Sequence, residues 1–238
     1  MAAAGFVILA IVLVGGVIGM WLRQVRRMRT VAAAAAARGW SFAERDDSLV
    51  HRFVGQPFGN GHSESCRCAI RGRLGGYKFT AFEYTYETTG YGGTGPDGQQ
   101  QPTVDRHSLW VVALEGFALD LPVVSVSRKG LMRKLGAALG HTGFQTGDTA
   151  FDAVYTASIH GAPPEVLGRL LDPAVRAATL ASAGSLGEHG WRIESGALLT
   201  WFGGHTRLER LDAVVRGLAA ICAAFPEEGL APRPRPRR

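Results

Sequence analysis

The pattern of apolar and polar positions begins with one long apolar run. Residues 6–22 carry no charge, and together with residues 2–5 they give about 20 apolar positions in succession. At about 1.5 Å per residue, a helix of that length crosses a hydrocarbon core of roughly 30 Å. The sequence therefore predicts a transmembrane helix over residues 1–22.

A basic cluster follows this run directly. Arg23, Arg26, Arg27 and Arg29 lie just after it, and no Lys or Arg precedes it, which is the reverse of the order in a cleavable signal peptide. Basic residues next to a span stay on the cytoplasmic side. We therefore expect a single-pass cell-membrane protein with its N-terminus outside, its C-terminal domain cytoplasmic, and Trp21 with the four arginines at the membrane interface.

Two glycines give the predicted span a candidate dimerisation face. Gly15 and Gly19 are four residues apart, and small residues at this spacing let two helices approach closely. The alternative is chance in a segment rich in Gly, Ala and Val. The expected partners are thus the lipid bilayer, an unidentified protein and a second copy of the chain.

The periodicity after the run predicts an α+β domain built on a mainly antiparallel sheet packed with helices. Residues 23–38 are predicted to form a basic, Ala-rich juxtamembrane helix, and residues 226–238 a disordered Pro/Arg tail. Residues 39–225 form the cytoplasmic domain, and a division into two subdomains near 140–150 is left open. Strands are predicted at 66–74, 77–86, 107–114, 122–126, 151–159, 191–194 and 197–202, and helices at 127–139, 164–171, from 173 onward and 207–224. Gly75-Gly76 and Ser195-Gly196 predict two hairpin turns.

The last predicted helix has the clearest pattern. Apolar residues recur every three or four positions and predict one buried stripe: Leu208, Leu211, Val215, Leu218 and Cys222. Thr206 and Glu209 fit a capping box at its start. By contrast, residues 88–104 hold five glycines and three glutamines and predict a long flexible loop. They lack the following helix that a phosphate-binding loop requires, and whether they order on binding is left open.

The charge distribution disfavours nucleic-acid binding. The net charge is +6, but eight arginines lie in the two terminal segments, at 23–29 and 233–238, which leaves −2 for the region between. A nucleic-acid-binding domain carries its positive charge on a folded face.

No pattern of catalytic or metal-binding residues stands out. Cys66 and Cys68 would lie on one strand face as half of a metal site, but no second Cys/His pair completes it, so we predict two core thiols and no metal or cofactor. The seven histidines never pair at helical spacing. The segment 61–65 has only part of a nucleophile elbow.

A series of short landmarks runs through the chain. They are Gly39-Trp40, Pro57-Phe58, the aromatic strand 82–86, His107, Leu121-Pro122, Phe151-Asp152, Leu171-Asp172-Pro173 and Gly190-Trp191. With the N-terminal span, this order resembles a group of uncharacterised bacterial single-span membrane proteins that share a domain of unknown function. The resemblance implies no activity and no catalytic residue.

Two hypotheses of function follow. The first is a membrane-anchored cytoplasmic binding or scaffolding domain, since a structural role explains most of the notable residues. The alternative is a membrane-bound, hydrolase-like enzyme whose site assembles from dispersed residues, for example a histidine beside the Gly-rich segment.

Overall fold

The computed structural model describes residues 2–94, 100–117, 122–129, 143–187, 189–204 and 208–225. Within these ranges, one antiparallel sheet of eight strands has the order β1-β2-β3-β4-β8-β7-β5-β6. The strands are β1 (Ser41–Arg45), β2 (His62–Leu74), β3 (Tyr77–Thr94), β4 (Gln100–Glu115), β5 (Val123–Arg128), β6 (Tyr155–His160), β7 (Trp191–Glu194) and β8 (Ala197–Gly203). The helices are α1 (Ala2–Ala36), α2 (Thr149–Val154), α3 (Glu165–Leu170), α4 (Pro173–Ala181) and α5 (Leu208–Ala224).

The two predicted hairpin turns are confirmed. Leu74 pairs with Tyr77 around Gly75-Gly76, and Glu194 pairs with Ala197 around Ser195-Gly196. Both residues of each turn have positive φ, as a tight two-residue hairpin turn requires. These turns set the register of β2 against β3 and of β7 against β8.

The two faces of the sheet carry separate cores. The face that α1, α4 and α5 cover is called the helix face, and its core includes Cys68, Ile70, Phe79, Trp110 and Leu211. The predicted stripe of α5 is confirmed, because Leu208, Leu211, Val215, Leu218 and Cys222 are all buried there. Asp172 is the N-cap of α4, and its Oδ1 accepts a 2.8 Å hydrogen bond from the Val175 N–H.

The opposite face is covered by the chain between β1 and β2 and is called the loop face. Leu49, Val50, Phe53 and Phe58 pack there on residues of β2, β3, β4 and β8. The covering segment, residues 46–60, contains a 3-10 turn at Asp47–Leu49 but no longer helix or strand. A second, smaller core therefore lies beneath irregular backbone.

The prediction of a transmembrane helix is wrong. In the part of the chain that the structure describes, no helix combines the length and mean hydropathy that a membrane crossing needs. α1 runs without a break from Ala2 through the arginine cluster to Ala36. Its second half packs on the sheet through Met28 and Ala35, which are 6% and 0% exposed. The expectations of a single-pass membrane protein, an outside N-terminus and a cytoplasmic domain are therefore wrong as well, and so is the fold class that included the span.

The Gly-rich segment differs from its prediction too. Instead of a loop over 88–104, β3 continues to Thr94 and β4 begins at Gln100, with Thr88 paired to Asp105 and Tyr91 to Pro102. Residues 95–99 lie outside the described residues. Thr88, Thr89 and Tyr91 favour a strand, and continuation of an established hairpin outweighed the local glycine content.

Other elements also depart from the predicted pattern. Residues 151–154 are helical, with Asp148 as N-cap accepting hydrogen bonds from Ala150 N and Phe151 N, and the strand begins only at Tyr155. At 127–128, where a helix is predicted, β5 continues to Arg128, and 130–142 lie outside the described residues. Thr206 of the predicted capping box and the predicted tail 226–238 also lie outside them.

Candidate functional site

The feature that extends beyond both cores is the end of the β3–β4 hairpin. On one side, β2 pairs with β3 only from His62, which lies opposite Glu87. On the other side, β8 pairs with β4 only as far as Gly203, which lies opposite Leu109. Residues 88–94 and 100–106 therefore continue as a two-stranded ribbon past the neighbouring strands. This ribbon is called the hairpin arm.

One side of the hairpin arm presents apolar groups to solvent. Because directly paired residues point to the same side, Tyr91 and Pro102 lie together, and so do Thr89 and Val104. Tyr91 is 73% exposed and Val104 59% exposed, while Thr89 and Pro102 are also exposed. These four residues are called the arm patch. It contains no charged side chain.

The other side of the hairpin arm is shaped by small residues. A Cβ added to Gly90 or Gly92 would lie 3.5 or 3.4 Å from Thr103 Oγ1, so Thr103 occupies the space over these glycines. Nearer the sheet, the His107 ring stacks on Tyr86 with centroids 4.7 Å apart, and His107 Nε2 lies 2.9 Å from Thr88 Oγ1. The two sides of the arm therefore differ in chemistry.

A polar group lies at the base of the hairpin arm, beside the Gly-rich segment. His62 Nε2 is 3.0 Å from Thr89 Oγ1, and His62 Nδ1 is 3.2 Å from Ser63 Oγ and 3.9 Å from Glu87 Oε2. Ser63 has φ 55°, a left-handed conformation unusual for serine. An alcohol, an imidazole and a carboxylate thus come together on the exposed surface, in an arrangement that sequence spacing alone did not reveal.

The segment that covers the loop face is held by a half-buried arginine. Arg192 donates to the carbonyl oxygens of Val54 and Gln56, at 3.2 and 2.7 Å, and its guanidinium lies 4.8 Å from the centre of the Trp201 ring. Glu194 accepts a 2.5 Å hydrogen bond from Val54 N. Burial lowers the pKa of Arg192 from its usual value, and Glu194 opposes that shift. Arg192 also donates to Ser125 Oγ at 3.2 Å and to Glu194 Oε2 at 3.3 Å, so most donors of the guanidinium are used and Arg192 has a structural role.

The three cysteines are buried thiols. Burial raises the pKa of Cys66 and of Cys222 to about 12, and burial together with Glu83 raises that of Cys68 to about 11. A thiolate is the reactive form of cysteine, so none of the three is activated as a nucleophile at neutral pH.

Cys66 and Cys68 do not share a face, contrary to the alternation in the sequence. A bulge places two residues of β2, Cys68 and Ala69, opposite the single residue Phe82 of β3. Cys68 takes φ 51° and joins the core of the helix face, whereas Cys66 joins that of the loop face. The geometric basis for a Cys-x-Cys metal half-site is therefore absent. No cluster of three or more His, Cys, Asp or Glu side chains suited to a metal occurs in the described residues.

The residues predicted for the membrane interface all lie on α1. Arg23, Arg26 and Arg29 are exposed, while Arg27 Nη2 lies 3.5 Å from Glu83 Oε2 on the sheet. Trp21 belongs to the same helix. The predicted role of these residues at a membrane interface depended on the transmembrane helix, which the structure contradicts. Arg27 instead helps to hold α1 on the sheet.

The predicted dimerisation pair lies farther toward the N-terminus of α1. A Cβ added to Gly15 or Gly19 would meet no atom within 4 Å. Helix dimerisation through these glycines stays a prediction.

Comparisons with known proteins give one structural match. No family model matches the chain, and no curated protein matches it. The crystal structure of the mycobacterial trehalose monomycolate transport factor A, TtfA, is similar, with a TM-score of 0.55 over 86% of this chain and 97% of that chain. The identity is 12%, so the likeness concerns the fold. The resemblance to uncharacterised bacterial proteins stays a prediction.

Proposed function

We propose that this chain is a non-enzymatic binding or scaffolding protein of a transport system, and that it binds a protein partner through the arm patch. The observation that carries the proposal is the exposure of Tyr91, Pro102 and Val104 on one side of a ribbon that projects past the sheet. The likeness in fold to TtfA, named a transport factor, supports the assignment to transport.

The chemistry of the arm patch indicates the kind of surface it binds. Tyrosine supplies a large, rigid contact area, and aromatic residues are enriched at the centres of protein interfaces. Glu87 and Arg106, paired across the strands at the inner end of the patch, add one charge of each sign. A complementary surface is therefore apolar and uncharged at its centre, with polar groups at its rim.

A site-specific cross-linking experiment tests this proposal. A photo-reactive amino acid replaces Tyr91 in one variant and Thr103, on the opposite side of the same ribbon, in a matched variant. We expect position 91 to cross-link to a component of a transporter and position 103 not to. Tyr91→Ser with Val104→Ser should then abolish binding of that purified component, while Thr103→Ser should leave binding unchanged.

Two results would contradict the proposal. One is equal cross-linking from both sides of the hairpin arm, since contact would then not depend on the patch. The other is binding of the purified component that persists in the Tyr91→Ser, Val104→Ser variant.

The hydrolase-like alternative is favoured by one observation, the contacts of His62 with Thr89 and Glu87. In that reading His62 would accept the proton of Thr89 Oγ1 as a general base. Hydrolysis of p-nitrophenyl acetate by the wild type and by His62→Ala separates the two functions. We expect equal rates, and a loss of at least a hundredfold in the variant would favour the enzyme.

A further inference from the structure

Three potential metal ligands from three different elements converge under α1. Cys68 Sγ on β2 lies 3.3 Å from Met28 Sδ on α1 and 3.8 Å from Glu83 Oε2 on β3. The three residues are 0%, 6% and 8% exposed. The three donors are a thiol, a thioether and a carboxylate.

We propose that Cys68, Met28 and Glu83 form a binding site for Cu(I). A thiolate and a thioether are soft ligands, and that combination selects Cu(I) over the harder divalent ions. Metal–sulfur and metal–oxygen bonds are about 2.3 and 2.0–2.2 Å long, so donor atoms 3.3 and 3.8 Å apart can reach one ion with small side-chain shifts. The carboxylate would be the weakest of the three ligands.

The bulge in β2 creates this arrangement. Without the extra residue between Arg67 and Ile70, Cys68 and Cys66 would follow the same alternation. The bulge instead turns Cys68 toward α1 and Glu83, and leaves Cys66 on the loop face.

Met28 also lines a cleft of about 310 Å³ beside α1, together with Glu44, Arg45 and Arg67.

The charge of the cluster does not change on binding. Cu(I) replaces the proton of the Cys68 thiol, the proton leaves to solvent, and no electron is transferred. Glu83 remains balanced by Arg27, whose Nη2 lies 3.5 Å from Glu83 Oε2, and its Oε1 accepts a 2.8 Å hydrogen bond from Ser108.

Competition with the chromogenic Cu(I) chelator bicinchoninate tests the site in the full-length protein under anaerobic conditions. We expect one Cu(I) per chain. Met28→Leu, which conserves volume, should weaken binding at least tenfold, and Cys68→Ser should abolish it. Cys66→Ser is the matched control, since it removes a buried thiol two residues away on the other face and should leave binding unchanged. Thermal unfolding of each variant shows that it is folded.

X-ray absorption at the copper edge gives a second measurement. It should show two sulfur neighbours at about 2.3 Å in the wild type and one in Met28→Leu. The proposal is overturned if the protein takes up no stoichiometric Cu(I), if Cys66→Ser weakens binding as much as Cys68→Ser, or if Met28→Leu has no effect.

Discussion

The two faces of the sheet solve the same packing problem by different means. On the helix face, α5 satisfies its own backbone hydrogen bonds and needs only an apolar stripe to pack. On the loop face, the cover is irregular backbone, and its polar groups need partners from side chains. Arg192 and Glu194 bond Val54 and Gln56, and Tyr84 Oη lies 3.4 Å from Gly59 N. A loop can cover a core where the sheet beneath supplies these partners.

The aromatic centre of the loop face gives the largest expected effect. Phe58 is 2% exposed and lies against Tyr84 and Trp201, with centroids 5.2 and 5.9 Å away. Phe58→Ala should reduce the free energy of unfolding by about 3–5 kcal/mol, measured by urea denaturation. Val54→Ala, at a 70% exposed position of the same segment, is the control and should change it by less than about 0.5 kcal/mol. Similar losses in both variants would mean that the whole segment, rather than the aromatic core, stabilises this face.

The same measurement on the helix face completes the comparison. Leu211 is fully buried in the middle of the α5 stripe. Leu211→Ala should cost about 2–5 kcal/mol, because it removes buried methyl groups and leaves a cavity. Arg216→Ala, on the exposed side of the same helix, should have little effect. A loss below about half a kcal/mol at Leu211 would place the stripe outside the core.

The smallest effect concerns the charged contact at the beginning of the loop-face cover. Hydrogen bonds from Ser48 and Arg71 lower the pKa of Asp46 below its ordinary value of 3.8. A carboxyl whose pKa is lower in the folded state adds stability above its unfolded pKa and loses it as the pH falls through the folded pKa. Asp46→Asn should therefore lower stability at pH 7 by less than about 1 kcal/mol and flatten its decline below pH 3.8.

Asp47→Asn is the control for that measurement. Asp47 forms an exposed pair with Arg45, whereas Asp46 is paired with Arg71 of β2. An equal flattening in both variants would contradict the role of Asp46. The test needs stability curves at several pH values under the same salt concentration, because screening weakens exposed pairs.

The helix face was largely predictable from sequence and the loop face was not. The stripe Leu208–Cys222 and the Gly75-Gly76 turn are local patterns with a direct structural meaning. The partners of Phe58 lie on β3 and β8, and no local pattern encodes that pairing. The continuation of the hairpin through residues 88–94 was hidden for the same reason, since glycine content is local and strand pairing is not.

The candidate sites illustrate the same limit. Tyr91 and Val104 are 13 positions apart and become neighbours only through the β3–β4 register. Met28, Cys68 and Glu83 belong to three elements, and their meeting depends on a bulge that no residue type announces. For α1, a local pattern was given too much weight. The apolar run 6–22 was interpreted as a membrane span, although the second half of the same helix packs on the sheet through Met28 and Ala35.

The bulge at Cys68 reverses the alternation of faces along β2. Before the bulge, the even-numbered Cys66 points to the loop face, and after it the even-numbered Ile70 points to the helix face. An insertion or deletion of one residue between Arg67 and Ile70 would erase this reversal, whereas substitutions there would not. The assignment of residues to the two faces should therefore survive a change of residue type in this stretch but not a change of its length.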